Sequence, residues 1–301
     1  MLNDKLINEL VEDARRLWPE RWPEIEEGFQ KVCFAASVAI ILWDYSLFTK
    51  KGDRLTFDEM RQKINLNPAA EYVFQKLLDI LVEENVLSYS DGVYTCNDPD
   101  PDVQSPIEWL VEAVRKVPEE GAALQWLARG IGGLKRFIKG KLSGEEVMFG
   151  PWSDFSLVGE LYFTSKVYGF WSKLAGVTVS KLIKNVFNKK INILEIGAGT
   201  GNGTTELLKS LDDPRKYIEK YIFTDIHKRL VKKSSQNFTD YFDFMEFKAL
   251  DVTKDLQEQE VALENADLLY AVNVMHATND ILKACDTMYK LVKNDGYVVL
   301  G

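Results

Sequence analysis

A glycine-rich loop stands where the sequence changes from strand to helix character. The apolar run Ile191–Ile196 contains Glu195 and leads directly into the glycine-rich run Gly197–Gly203, after which helical spacing begins. Glycines at alternate positions let the backbone turn sharply and approach a ligand without side-chain interference. The following helix offers free N–H groups, which favour an anionic group such as a carboxylate. The sequence therefore predicts a ligand site in a strand-to-helix turn.

The loop does not complete the glycine pattern of dinucleotide-binding proteins. That pattern is G-x-G-x-x-G, and its last glycine position is occupied here by Asn202 or Thr204, depending on which glycine begins the match. The spacing therefore disfavours NAD as the ligand.

Acidic or ionisable residues follow later strand-like runs in the same half of the chain. Asp225 ends the run that begins at Tyr221, Asp251 follows the run near 244–250, and His276 comes just after the run 267–272. In an open parallel sheet, ligands bind at the edge where the carboxyl ends of the strands lie. A single acid at a strand end is a solvated residue about as often as it is a ligand contact. The prediction of one shared site therefore rests on four positions in register.

The run from Glu195 to Gly201 resembles the E-x-G-x-G-x-G motif of class I S-adenosylmethionine-dependent methyltransferases. The resemblance implies that Glu195 meets the methionine end of the cofactor. It also implies that Asp225 binds the ribose hydroxyls, and that Asp251 meets the adenine amino group beside an apolar ring contact. The predicted cofactor-binding residues are Glu195, Gly197, Ala198, Gly199, Gly201, Asp225, Ile226, Asp251, Val252 and Asn273.

A second motif concerns the acceptor. The segment Asn273–Thr278 resembles the N-V-x-H-A-T segment of the C-methyltransferase domains of polyketide synthases, in which the histidine is the general base. A neutral imidazole can remove the acidic α-proton of a 1,3-dicarbonyl thioester. His276 is therefore the predicted catalytic residue, and the alternative is that it caps a helix or bonds a carbonyl. His227, the only other histidine, is assigned no catalytic role.

The resemblance also implies a reaction and a partner. The predicted activity is methylation of the α-carbon of a β-ketoacyl or malonyl-type thioester, carried by the phosphopantetheine of an acyl carrier protein in polyketide biosynthesis. S-adenosylhomocysteine would be the product, and no metal is required. Three alternatives stay open: an O-methyltransferase acting on a small hydroxylated acceptor, a metal-assisted C-methyltransferase with His276 as ligand, and a non-catalytic docking module.

In the polyketide family a glutamate just beyond the fifth strand orients the histidine, whereas this sequence ends at Gly301. The final antiparallel strands of the sheet are also missing from the sequence. We therefore expect the chain to be part of a larger multidomain polypeptide.

A mostly helical stretch precedes the predicted core, from Ile107 to about Asn188, and glycines between Gly130 and Gly150 are expected to break it. We interpret it as a cap. Seven aromatic residues between Trp152 and Trp171 could wall a substrate pocket, with Tyr162 and Tyr168 as the best candidates. A basic cluster could steer an acidic carrier protein or simply form a solvated helix face; it comprises Arg129, Lys135, Arg136, Lys139 and Lys141.

Helix, helix and hairpin follow one another before residue 100. The residues Thr56 to Glu59 have the form of a capping box, which predicts a helix start. A second helix follows Pro68, and two strand-like runs flank Asp91-Gly92. This order resembles the winged-helix element that precedes the core of many small-molecule methyltransferases. The second helix lacks the basic residues that DNA contact requires.

Composition narrows the class of protein. The net charge of −9 disfavours a general nucleic-acid binder. The most apolar stretch, Val32 to Trp43, is too short to cross a bilayer. Three scattered cysteines show no metal-ligand spacing and suit free thiols in a cytoplasm. The predicted fold is α/β, with a helical, winged-helix-like domain at 1–100, a helical cap at 101–188 and an incomplete Rossmann-like core at 189–301.

Overall fold

A computed structural model describes residues 4–150, 155–259 and 265–301 of the chain. The chain divides into two compact units. The core unit comprises the residues up to Pro19 together with Val158–Gly301, and the helical unit comprises Glu20–Leu157. The predicted domain limits at residues 100 and 188 stay a prediction, because packing within a unit does not say which segments fold alone.

Helices account for much of both units. The α-helices are, in chain order, α1 (Asp4–Leu17), α2 (Trp22–Val38), α3 (Phe57–Ile64), α4 (Glu71–Glu83), α5 (Pro106–Lys116), α6 (Gly121–Ile138), α7 (Gly144–Phe149), α8 (Ser156–Thr164), α9 (Lys166–Val186), α10 (Asn202–Ser210), α11 (Pro214–Tyr217), α12 (Lys228–Ser235) and α13 (Ile281–Leu291). A π-helical turn, Ala39–Asp44, extends α2. Across the described ranges, none of these helices combines the length and apolar character needed to traverse a bilayer.

The strands form one sheet in each unit. They are β1 (Arg54–Thr56), β2 (Leu87–Ser90), β3 (Val93–Cys96), β4 (Ile191–Ile196), β5 (Ile218–Asp225), β6 (Met245–Ala249), β7 (Ala266–Ala271) and β8 (Val292–Leu300). The core unit holds a parallel sheet in the order β6-β5-β4-β7-β8. This parallel sheet with a helical N-terminal region confirms the predicted α/β, Rossmann-like fold class.

Side chains of β4 alternate between the two faces of the parallel sheet, as strand geometry requires. Ile193 belongs to a cluster with residues of α9 and α10, including Val179 and Leu207. Leu194 belongs to a second cluster with residues of α13, including Met288. Helices therefore cover both faces, and the loops at the carboxyl ends of the strands stay available for a ligand.

The last strand begins earlier than the sequence indicates. The sequence predicts a turn at Asn294–Gly296 before a strand at 297–300, whereas β8 already pairs at Val292 with Ala266. Pairing then resumes at Tyr297 with Leu268, after a register irregularity. Between these two pairs β8 advances by five residues (292 to 297) while β7 advances by two (266 to 268), so the predicted turn residues loop out of the pairing within the strand.

The helical unit contains the predicted capping box and hairpin. Thr56 Oγ1 accepts a hydrogen bond of 3.2 Å from the Glu59 N–H, and the Glu59 carboxylate accepts one of 2.7 Å from the Thr56 N–H. The hairpin turns at Asp91 and Gly92, both with positive φ. In addition, β1 pairs with β3, so the sheet has three antiparallel strands. The apolar face of α4 packs into the core of this unit.

The predicted helix breaks at Gly130 and Gly132-Gly133 are wrong, because α6 runs unbroken from Gly121 to Ile138. A Cβ at Gly133 would lie 2.6 Å from Val147 Cγ1 of α7. The missing side chain therefore permits close packing of two helices, and this packing outweighs the low helix propensity of glycine.

Candidate active site

The glycine bend, Gly197 to Gly201, joins β4 to α10. Gly197 and Gly199 have φ of 63° and 58°, a region that residues with a side chain rarely adopt. A Cβ at Gly197 would also lie 2.5 Å from Val274 Cγ2, which follows β7. A Cβ at Gly199 would meet only the Gly197 carbonyl oxygen, at 3.9 Å. Gly199 therefore has open space on the side where a side chain would lie.

Asp225 lies directly beside the glycine bend. Its Oδ2 accepts a hydrogen bond of 3.0 Å from the Gly199 N–H, and its Oδ1 accepts one of 2.9 Å from the His227 N–H. The residue is only 7% exposed. Each carboxylate oxygen has a second lone pair, so the group can still accept from two hydroxyls. The structure thus brings together two predicted site residues, Gly199 and Asp225, that are 26 residues apart in the sequence.

Glu195 is buried beneath the first turn of α10. Its Oε2 accepts a hydrogen bond of 2.5 Å from the Tyr221 hydroxyl and another from the Thr204 hydroxyl. The Tyr221 and Tyr270 hydroxyls are 2.5 Å apart and share a hydrogen bond. Burial raises the pKa of Glu195 to about 7, although the hydrogen bonds from the three hydroxyls oppose that rise.

A cavity of about 170 Å³ opens at the glycine bend. The predicted site residues that line it are Tyr162, Glu195, Gly197, Ala198, Gly199 and Asn273. Asn273 has a positive φ of 57°, and its N–H donates a 2.8 Å hydrogen bond to the Gly301 carbonyl. Burial raises the pKa of the Tyr162 hydroxyl. This cavity is where the strand ends and the loop converge.

Several lining residues were not among the sequence-predicted site. They include Val158, Ser172, Asn202 and Leu230. Asn202 Nδ2 donates a 2.6 Å hydrogen bond to the Tyr162 carbonyl, which ties α8 to the start of α10. Leu230 lies in α12, five residues after Asp225 in the sequence, but an apolar residue at this position does not by itself indicate a ligand contact. The fold places these residues at the cavity, and their residue types gave no signal of it in the sequence.

The predicted adenine-side residues lie outside this cavity. Asp251 follows β6, and its Oδ1 accepts hydrogen bonds of 2.9 Å and 2.6 Å from the Thr253 N–H and hydroxyl. Lys254 forms an ion pair of 3.4 Å with the other carboxylate oxygen. Val252 is buried, whereas Ile226 is 56% exposed. The adenine contacts assigned to these residues stay a prediction.

His276 lies in a 3₁₀ turn, Met275–Ala277, directly after the cavity-lining Asn273 and the bend-contacting Val274. The residue is exposed. No hydrogen bond to its imidazole is found within residues 4–150, 155–259 and 265–301. Tyr168 is 37% exposed, and its ring meets the Tyr162 ring edge-on at 6.2 Å without lining the cavity. Trp152 lies outside the described residues.

The basic cluster belongs to the helical unit and is partly engaged there. Arg129 donates to the Met148 carbonyl, Lys135 pairs with Asp44 at 2.8 Å, and Lys139 donates to the Ile64 carbonyl. These contacts hold three of the five cations. The part of the cluster that could meet a partner is therefore smaller than its sequence density indicates.

The residues at the bend fit S-adenosylmethionine as cofactor. The open side of Gly199 leaves room for a ligand against the backbone, and Asp225 offers acceptor positions beside it. Glu195 places an ionisable group at the cavity wall. Over the described residues, no group of three or more His, Cys, Asp or Glu side chains converges to hold a metal ion.

Known proteins are similar in sequence to parts of this chain. The family described as "Methyltransferase domain" matches residues 194–298. Over 175 residues the chain is 33% identical to a polyketide synthase-nonribosomal peptide synthetase of Aspergillus clavatus, an alignment that covers 58% of this chain. The match spans only 4% of the length of that synthetase.

Solved structures extend the likeness to the whole chain. The CurJ carbon methyltransferase superposes with a TM-score of 0.86 at 25% identity, covering 98% of this chain and 77% of that one. The CMeT domain of the citrinin polyketide synthase has the same fold, with a TM-score of 0.81 at 20% identity, covering 100% of this chain and 80% of that one. The family match, the glycine bend and its neighbouring Asp225 identify a class I S-adenosylmethionine-dependent methyltransferase domain over residues 194–298, in a chain that is similar to the C-methyltransferase domains of polyketide synthases.

Proposed function

We propose that the chain methylates the α-carbon of a β-ketoacyl or malonyl-type thioester, with His276 as the general base. The observation that carries the proposal is the position of His276. It follows Asn273, which lines the cavity, and Val274, which contacts the glycine bend, so it stands at the same sheet edge as the cofactor site. The likeness to carbon methyltransferases supports carbon as the acceptor atom.

The chemistry assigned to the chain's own residues is proton removal and alignment. When bound, S-adenosylmethionine supplies an electrophilic methyl group on a positively charged sulfur. The His276 imidazole accepts the proton from the acidic α-carbon, and the electron pair of the broken C–H bond stays on the acceptor as an enolate. The enolate carbon would then form the new bond to the methyl group, and the sulfur would keep the electron pair of the broken methyl–sulfur bond. The glycine bend and the cavity wall align the reactants and exclude water.

The cofactor contacts are proposed from the same geometry. Asp225 would accept from the ribose hydroxyls, Asp251 would meet the adenine amino group, and Glu195 would face the methionine end. Ile226 and Val252 would supply apolar contacts to the adenine ring. The backbone of the remaining predicted residues would enclose the methionine end, with Gly197, Ala198, Gly199, Gly201 and Asn273 in this group.

The partner in this proposal is an acyl carrier protein with a phosphopantetheine-linked substrate. The Aspergillus relative is a large synthetase, which supports a place for the chain within a longer multidomain polypeptide. Arg136 and Lys141 are the members of the basic cluster best suited to steer an acidic carrier, because the other three are engaged within the helical unit. Tyr162 is the proposed contact for the acyl chain, with Tyr168 behind it.

The test is intact-mass analysis of an acyl carrier protein loaded with a β-ketoacyl group and incubated with enzyme and cofactor. The expected result is a mass gain of one CH₂ unit on the loaded carrier, because the new methyl group replaces the α-hydrogen. A cofactor with a ¹³C-labelled methyl then shows by NMR whether the new bond is to carbon or oxygen. Labelling on oxygen contradicts the proposal and favours an O-methyltransferase.

Two further outcomes would assign a different mechanism or role. Loss of turnover on chelation, restored by added metal, would assign a metal-assisted reaction. Cofactor binding without methyl transfer to any loaded carrier would favour a docking module.

A further inference from the structure

Four buried polar side chains meet beneath the glycine bend, one each from β4, α10, β5 and β7. Glu195 is 2% exposed and the three hydroxyl residues around it are fully buried. We call these three residues the hydroxyl cluster; they are Thr204, Tyr221 and Tyr270. Together with Glu195, the cluster joins the helix that follows the bend to three neighbouring strands of the sheet.

When Glu195 is ionised, the hydrogens of the hydroxyl cluster point toward it. A hydroxyl carries a single proton. The Tyr221 proton is donated to Glu195 Oε2 at 2.5 Å, so in the 2.5 Å contact between the tyrosines Tyr270 is the donor. Thr204 donates to the same carboxylate oxygen. A relay that ends on a carboxylate favours its ionised form, whereas burial favours the neutral form.

These opposing effects leave Glu195 able to change its charge near neutral pH. Burial is the larger effect and raises the pKa of Glu195 to about 7. The titratable groups that act on it are Tyr221 and Tyr270, which lower its pKa, and Asp225, whose charge raises it. The first turn of α10 lies against the carboxyl group, since a Cβ at Gly203 would be 2.9 Å from Glu195 Oε1. A helix start also favours a negative charge.

The carboxyl group also borders the ligand cavity. Glu195 lines that cavity together with the bend residues Gly197 and Gly199. Charge in a buried, weakly screened setting acts over several ångströms. A change in the ionisation of Glu195 is therefore felt by a charged ligand that occupies the bend.

We propose that the hydroxyl cluster positions the Glu195 carboxylate beneath the bend so that the site distinguishes the positively charged cofactor from its product, whose sulfur is uncharged. The inference rests on the cofactor site proposed above and adds Thr204, Tyr221 and Tyr270 to it as positioning residues. The sulfonium charge of S-adenosylmethionine stabilises the ionised carboxylate, so its binding releases a proton. S-adenosylhomocysteine lacks that charge and couples less to Glu195. By linkage, cofactor affinity rises with pH near neutrality more than product affinity does.

The experiment is isothermal titration calorimetry of the full chain with S-adenosylmethionine and with S-adenosylhomocysteine, from about pH 6 to about pH 8. Wild-type affinity for the cofactor is expected to rise about tenfold over this range, because each pH unit below a pKa changes the ionised fraction up to tenfold. Repeating the titrations in buffers of different ionisation enthalpy counts the protons released. The amino group of either ligand also titrates here, so Glu195→Gln in the same buffers isolates the contribution of Glu195.

Variants of the hydroxyl cluster give the decisive readout. Tyr221→Phe and Tyr270→Phe each remove a hydroxyl that favours the carboxylate, so the pH at which affinity rises should move up by roughly one unit. Tyr217→Phe is the matched control, since its hydroxyl bonds to Asp212 on the surface of the same unit. Thermal melting shows whether each variant is folded before its binding is compared.

Unshifted pH profiles in folded Tyr221→Phe and Tyr270→Phe proteins overturn the inference, as does equal pH dependence for cofactor and product. In either case the cofactor still binds and the proposed function stands. Absence of cofactor binding by the wild-type chain at every pH contradicts both the inference and the cofactor site on which it rests.

Discussion

The two ends of the ligand-binding sheet edge are built differently. At β4 and β5, Glu195 and Asp225 are at most 7% exposed, and protein donors already hold their carboxylates in place. After β7, His276 is exposed in a short turn, and α13 beyond it leaves Leu282 80% exposed. The cofactor side is thus preorganised by buried hydrogen bonds. In the proposed function, the acceptor side would present its reactive group on a turn, as suits a substrate that arrives from outside.

The largest expected effect is a loss of methyl-transfer rate without a loss of cofactor affinity, which would distinguish the acceptor side from the cofactor side. In the proposed function, His276→Ala removes the base and should lower the rate of methyl transfer by roughly 10²–10⁴-fold. Cofactor affinity, measured by calorimetry, should stay within about twofold, because the bend and Asp225 are untouched. An unchanged rate on a verified substrate would show that His276 is not the base. Asn279→Ala, three residues further along the exposed segment, is the control.

A change at the glycine bend should instead affect the cofactor side and the acceptor side together, because it destabilises the fold that holds both. Gly197→Ala places a Cβ in a left-handed conformation and 2.5 Å from Val274, which should lower the free energy of unfolding by roughly 2–4 kcal/mol. Urea unfolding measures the loss. Gly199→Ala has the same backbone strain without the clash and should lose less stability.

A second substitution, at Val274, tests whether its contact with the bend causes the loss of stability in Gly197→Ala. Val274→Ala in the Gly197→Ala background should restore part of the lost stability, because it removes the clashing methyl groups. Equal losses in Gly197→Ala and Gly199→Ala, with no rescue, would mean that the bend and the β7 turn are not packed together.

Buried Glu195 should make stability depend on pH. The unfolded chain loses this proton near pH 4.5 and the folded chain near pH 7, so folding is accompanied by proton uptake between these values. The free energy of unfolding should therefore fall by about 3 kcal/mol as pH rises through this window, and then level off. Glu195→Gln lacks this contribution. Urea unfolding of both proteins at about pH 5 and about pH 7.5 measures the difference, and parallel pH dependence would contradict it.

The smallest expected effect compares two acids at neighbouring strand ends. Asp225→Asn weakens hydrogen bonds at an ionised group, a loss of about 2 kcal/mol, and should reduce cofactor affinity by roughly 10–100-fold. Asp251→Asn should reduce it less, because Thr253 and Lys254 already occupy much of that carboxylate. Calorimetry at one pH and salt concentration suffices. A larger loss for Asp251→Asn would place the main anchor of the cofactor at β6 instead of β5.

Local patterns predicted the elements of this protein well because each depends on near neighbours in sequence. The capping box at Thr56 and the hairpin at Asp91 both satisfy their hydrogen bonds within a few residues. The order of strand, glycine bend and helix around Gly197 is equally local. The predicted break at Gly133 failed because this residue packs against Val147 of the next helix, which favours a small residue there.

The hydroxyl cluster marks the limit of sequence reasoning at the site. Tyr221 and Tyr270 read as ordinary apolar positions of buried strands, although a buried tyrosine hydroxyl usually requires a partner. That requirement is the one signal in the sequence, and it does not name the partner. The register of β4 with its two neighbours brings both hydroxyls to Glu195.

The amino-acid sequence alone determined the α/β fold class, the glycine bend and the acids that follow successive strands, because these depend on local spacing and residue type. Only the tertiary structure decided which side chains meet. It places Asp225 in hydrogen-bonding contact with Gly199, buries Glu195 among three hydroxyl groups, and exposes His276 on a turn. Strand register and helix packing make these choices, since they join residues that are far apart along the chain.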